Sequence, residues 1–173
     1  MQKSLESLAL SNPELMDKIS KLDLDPIKYK LMHKDEGEGK GWDREKVDLV
    51  EEQYKRFLYM SATHSKSSIV PTKDIDEFWH YHILDTRKYA EDCQNTFGFF
   101  VHHFPYLGLR GEEDVKLLHI SFKDTQEKYK RMFGETYGSN STDCQNCGDC
   151  GSTCGVGTTR SEIRPTLTPR IAG

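Results

Sequence analysis

Nowhere in this 173-residue chain do 18 apolar residues run together, so the sequence predicts no membrane-spanning helix. The opening MQKSLESLALSNPELMDK has no apolar core of signal-peptide length, which predicts a cytoplasmic protein with reduced thiols. Neither sign of charge dominates: 24 Lys and Arg face 28 Asp and Glu, a net charge of −4. The lysines are interleaved with acidic residues and form no concentrated basic patch, so nucleic acid is not an expected partner. GxSxG, a phosphate-binding glycine loop and HExxH are all missing, and with them the usual nucleotide and hydrolase signatures. Strand signals are few, and no internal repeat is present.

One further absence divides the chain. Beyond Tyr137 there is no Phe, Trp, Tyr or His, and residues 138–173 are rich in Gly, Ser, Thr, Cys and Pro. Such a segment buries too little apolar surface to offset its ordering entropy unless something cross-links it. The sequence therefore predicts a folded domain over residues 1–137. A Gly/Cys-rich tail over 138–173 would be disordered unless metal-bound. Hydrophobic residues at 35% and charged ones at 30% suit a soluble protein with a modest core.

Within the first part the patterning is helical. Asn12-Pro13 is a cap and first-turn signature opening PELMDKISKL, and Asp25-Pro26 repeats the device before IKYKLMHK. After the charged, glycine-rich DEGEGKG, Trp42 and Asp43 lead into a long helix with Val47, Val50, Tyr54, Phe57 and Met60 on one face. Thr72 caps the next expected helix, whose apolar stripe runs unbroken through Ile75, Trp79, His82, Ile83, Thr86, Tyr89, Ala90, Cys93 and Phe97. A segment near 97–109 carries glycines at both ends and Pro105 inside, and is expected to be extended or irregular. The last helix starts near Glu112, with Val115, Leu118, Phe122, Tyr129 and Met132 on one face, and Gly134 stops it. The expected fold is all-α: a small helical bundle with one irregular segment.

What the chain has in concentration is histidine. Four of its seven fall between positions 80 and 103, as the pairs His80/His82 and His102/His103. Imidazole binds transition metals and moves protons near neutral pH. Two residues apart on a helix point about 200° away from each other, so His80 and His82 cannot grip one ion together. His80 shares a face with Asp76, four residues earlier; the two can ligate one metal, or the carboxylate can orient the imidazole. His82 lies on the apolar stripe and reads as a buried histidine bonded to Asp85 or a backbone carbonyl, with metal ligation as the alternative. On an extended backbone His102 and His103 point to opposite sides, so one of them reaches a site. His64, after the long helix, is either a third ligand or a charge partner for the helix end. His33 and His119 read as structural, and Cys93 as a small buried residue.

These residues carry a resemblance. Ile75, Asp76, Trp79, His80, His82 and Leu84, followed by Tyr89, Asp92 and Cys93, resemble the hallmark of the glycine-rich domain-containing protein-like family. The FxHHFPYxG element is similar to its short bacterial-type members. The resemblance covers residues 42–137 and implies no established reaction. Its plant members carry long glycine-rich extensions, which this chain lacks.

In the tail, CQNCGDCGSTCG sets Cys144, Cys147, Cys150 and Cys154 at spacings x2, x2 and x3. Four thiolates this close satisfy tetrahedral zinc or hold an iron–sulfur cluster. Gly155 replaces the proline of the ferredoxin run and apolar shielding is missing, which favours zinc; free thiols in a flexible tail are the plainer alternative. The functional expectation is a cytosolic metal-binding helical protein with a site drawn from Asp76, His80, His82, His102, His103 and His64 and a second site in the tail. Zinc is the leading metal, with iron or an iron–sulfur cluster behind it. The competing reading is a non-enzymatic interaction or metal-delivery protein with structural histidines, the tail contacting a protein partner.

Overall fold

The computed structural model describes residues 11–34, 39–64, 66–138, 156–157 and 164. Six helices make up the body: α1 (Pro13–Ser20), α2 (Asp25–Met32), α3 (Arg44–Thr63), α4 (Lys73–Leu84), α5 (Thr86–Phe97) and α6 (Glu112–Phe133). The all-α expectation holds, with one small addition. β1 (His103–Phe104) pairs antiparallel with β2 (Val156–Gly157). Among the described residues no helix is long and apolar enough to cross a membrane.

Local signals set most boundaries. The side chains of Asn12, Asp43 and Thr72 accept from the backbone N–H of Leu15, Lys46 and Ile75, starting α1, α3 and α4. Gly98 and Gly134 end α5 and α6 with φ of 76° and 73°, in the left-handed region. The Asp25-Pro26 device works differently from expectation. Asp25 lies inside the first turn of α2, Leu24 is the capping residue, and Asp23 Oδ1 accepts from the Asp25 N–H at 3.1 Å.

Helix α3 is the hub, packed by α1, α2 and α4. Its expected face is fully internal: Val47, Val50, Tyr54, Phe57 and Met60 are buried, as are the adjacent Leu58 and Tyr59. Tyr54 stands 5.0 Å from Phe78 and Phe57 5.0 Å from Trp79, ring centre to ring centre, so an aromatic seam joins α3 to α4. Burying each such ring contributes about 1.5–3 kcal/mol. This seam fixes the rotation of α4, and therefore which of its residues face outward.

Two expectations need correction. The single helix expected from Thr72 to Phe97 is two helices, because Asp85 adopts non-helical φ −81° and ψ 72° and its side chain accepts from the Lys88 N–H to cap α5. The inner stripe of α6 is also rotated from the expected one. Asp114, Ser121, Thr125 and Tyr129 are buried, while Val115 is 40% exposed. Hydrogen bonding explains the rotation. Thr125 Oγ1 accepts from the Val70 N–H at 3.0 Å, and Asp114 Oδ2 accepts from the N–H of Gly108 at 2.6 Å and of Arg110 at 3.2 Å. Loop backbone lies against Asp114 and Thr125, while Tyr129 of the expected stripe is in the core and Leu118, Phe122 and Met132 pack half-buried against it. Cys144, Cys147, Cys150 and Cys154 fall outside the described residues.

Candidate metal centre

Helix α4 begins at its Thr72 cap, which puts Asp76 one turn in and His80 one turn further on the same face. The aromatic seam turns Phe78 and Trp79 into the core, leaving the Asp76/His80 face at the edge of the bundle. After α5 the chain returns through the irregular segment to β1, which brings His103 against that edge. The His103 ring packs edge-on to Trp79 with centroids 4.5 Å apart.

Three side chains converge there. His103 Nε2 lies 3.0 Å from Asp76 Oδ1 and 3.0 Å from His80 Nε2, and His80 Nε2 lies 3.6 Å from Asp76 Oδ2. Among the described residues these three are the His, Cys, Asp or Glu side chains that gather in this way. Hydrogen bonding within the cluster is limited by the protons its rings carry. A neutral imidazole carries one N–H, and its other nitrogen and the carboxylate oxygens only accept. With a proton on His103 Nε2 aimed at Asp76 Oδ1, His80 Nε2 either presents its lone pair to that nitrogen or points its own proton at Asp76 Oδ2 across 3.6 Å, longer than a hydrogen bond.

A cation between the three would engage every lone pair at once. Bonds of about 2.05 Å to a tetrahedral ion put its ligand atoms about 3.3 Å apart, and right-angled bonds of that length about 2.9 Å. The separations of 3.0 Å between the two imidazole nitrogens and of 3.0 and 3.6 Å from them to the two Asp76 oxygens lie within a few tenths of an ångström of those values. The donor set therefore fits a transition metal, either tetrahedral or with the three ligands on one face. The side chains of Asp76 and His103 are 9% exposed and that of His80 is 41%, so the group opens to solvent on one side. An open position is what separates a catalytic from a closed structural metal site.

Sequence geometry split each histidine pair, and the structure places the members far apart in environment. His82 is 1% exposed, with Nδ1 2.9 Å from Tyr54 Oη and Nε2 2.9 Å from Asp92 Oδ2, so both ring nitrogens are engaged in the core. Burial pulls its imidazole below the ordinary value, against the opposing pull of Asp92. Its expected partner Asp85 is instead the α5 cap. His102 is exposed and stacks on Phe100 at 4.9 Å. His64 caps α3, with Nδ1 3.0 Å from Thr63 Oγ1. His33 and His119 are exposed. Cys93 is buried, and burial raises its thiol above the usual range, which suits packing rather than reactivity.

Patterning put Trp79 and Tyr89 on the buried stripe but gave no sign of the hydrogen bonds that join them behind the site. Trp79 Nε1 donates to Tyr89 Oη at 2.8 Å, and Tyr89 Oη donates to the Val101 carbonyl at 2.5 Å. That relay ties α4, α5 and the β1 approach together directly behind the cluster. The hallmark residues Trp79 and Tyr89 were the only signal for it.

A family model described as UCP032817-like matches residues 18–122, which include Asp76, His80 and His103. The chain belongs to this UCP032817-like family. It is also similar to two Arabidopsis thaliana proteins, so the resemblance read from the histidine motif holds. Glycine-rich domain-containing protein 1 is 32% identical over 89 residues, covering 49% of this chain and 11% of the relative. Glycine-rich domain-containing protein 2 is 33% identical over 89 residues, with the same coverage. The UCP032817-like chain thus spans about a tenth of the length of these curated relatives. No solved structure matches.

Proposed function

We propose that this chain is a metal-binding protein whose centre is Asp76, His80 and His103, and that zinc is the first metal to test. The observation that carries the reading is the convergence of two imidazole nitrogens, 3.0 Å apart, on the Asp76 carboxylate, one at 3.0 Å from Oδ1 and the other at 3.6 Å from Oδ2. The two-histidine, one-carboxylate set also suits iron, so iron is the second metal to test. When bound, such an ion supplies a Lewis acid and an activated water at the solvent-facing position. Asp76 and His103, nearly buried, hold their side of the site fixed; the more exposed His80 completes it. Trp79 keeps the His103 ring in place. Within the same proposal, Cys144, Cys147, Cys150 and Cys154 form a separate soft-metal site and a contact for a protein partner. The compartment proposed is the cytoplasm.

The experiment is metal analysis of full-length protein in which the four tail cysteines are serine, so that bound metal reports the histidine centre. Close to one equivalent is expected, and His80→Ala or His103→Ala should remove it. Less than a tenth of an equivalent of every transition metal, before and after reconstitution, would overturn the reading. In that case the three side chains share a proton instead, and their role is structural.

A further inference from the structure

Strand β1 delivers His103 to the centre, and its backbone partner comes from the far side of the cysteine run. In the antiparallel pair His103 faces Gly157 and Phe104 faces Val156. The approach to β1 is tied by the Tyr89–Val101 bond and by burial of Val101 and Phe104, but it has no helical scaffold of its own. It lies between Gly98 and Gly108, both at positive φ, and no helix covers residues 98–111. A two-residue pair is marginal in water by itself. Its order must draw on what its side chains touch: Phe104 is buried with Val70 and Leu107, and His103 touches Asp76, His80 and Trp79. His103 therefore sits in the segment that β2 pairs with, while its ring is held by the centre.

We propose that docking of Val156–Gly157 on β1 sets the metal affinity of the Asp76–His80–His103 centre, and that loading the centre in turn fixes the docked segment. The proposal rests on the metal reading above. With β2 docked, His103 is already oriented, and less ordering entropy is lost when an ion binds. With β2 released, that ordering falls due at the moment of binding and affinity drops. Linkage makes the effect reciprocal: the factor by which docking tightens metal binding is the factor by which metal tightens docking. The far end of the chain becomes an adjustable part of the site.

The test uses the full chain with the four tail cysteines as serine and zinc as the probe. Facing residues in an antiparallel pair alternate between bonded and non-bonded, so one of these two facing pairs carries the ladder bonds. Val156→Pro and Gly157→Pro between them therefore delete a ladder donor whichever pair that is. At least one proline variant should bind zinc about five- to tenfold more weakly in a chelator competition. In the parent, zinc should slow amide exchange across His103–Phe104 and Val156–Gly157, a readout that needs no substitution. If both proline variants bind zinc like the parent, or exchange at these residues ignores zinc, the coupling is wrong while the metal reading stands. A parent that binds no zinc sinks the metal reading, and the coupling with it.

Discussion

At the scale of single residues, His80 and His82 show how position on one helix assigns opposite duties. Their separation of about 200° sends one ring to the edge and the other into the core. That division was legible in the sequence, because it follows from helix geometry alone. The partners of His82 were not: Tyr54 is 28 residues away and Asp92 lies on the next helix, so packing had to bring them in. The buried state of His82 has a consequence for pH. Its folded pKa is lowered, so the unfolded chain takes up the proton first as pH falls. The stability it contributes is complete above about pH 6.5 and drains away below, at no more than about 1.4 kcal/mol per pH unit. An imidazole NMR titration should find His82 less than half protonated at pH 6.5, and urea midpoints should fall between pH 7 and 5.5. A His82 that titrates at or above the free value would contradict this. Tyr89 is a second residue-scale case. Tyr89→Phe removes the Val101 bond and strands the Trp79 indole N–H, which should cost about 1–3 kcal/mol in urea unfolding.

At the scale of elements, the sequence was most informative where a helix begins or ends on a side-chain cap. Asn12, Thr72 and Gly134 each act where their type and position said they would, and Asp43, which leads into the long helix, is its cap. It misled where an apolar stripe crosses a break. Trp79, Tyr89 and Cys93 keep helical spacing through Asp85, so periodicity reads one helix where capping chemistry makes two. Asp85→Ala should cost about 1 kcal/mol by removing the α5 cap, with a smaller loss for Asp85→Asn, which keeps the acceptor. Equal losses for the two would argue that the carboxylate charge, rather than the cap, is what matters. Helix α6 misled differently. Its buried face carries Ser121 and Thr125 because a loop N–H needs an acceptor there, and hydrophobic patterning is blind to that need. Thr125→Val keeps the shape and removes the acceptor for Val70, with an expected cost of about 1–3 kcal/mol.

At the scale of the whole molecule, the metal reading makes stability depend on an ion, and the two ligand histidines should reveal it differently. An ion that binds only the folded chain adds about 2.7 kcal/mol when present at a hundred times its Kd. Zinc should therefore raise the melting temperature of the serine-tail protein. The His80 side chain is 41% exposed, so His80→Ala should leave the metal-free melting point nearly unchanged and abolish the zinc-dependent rise. The His103 side chain is 9% exposed and packs on Trp79, so His103→Ala should lower the metal-free melting point as well as abolish the rise. This contrast separates ligation from packing. A histidine that matters only as filler changes the apo protein and leaves the zinc response intact. One that matters only as a ligand does the reverse, and differential scanning calorimetry with and without zinc reads both quantities on the same samples. If His80→Ala retains the parental rise, zinc stabilises the fold elsewhere, and the convergence of Asp76, His80 and His103 serves the helix–strand junction alone.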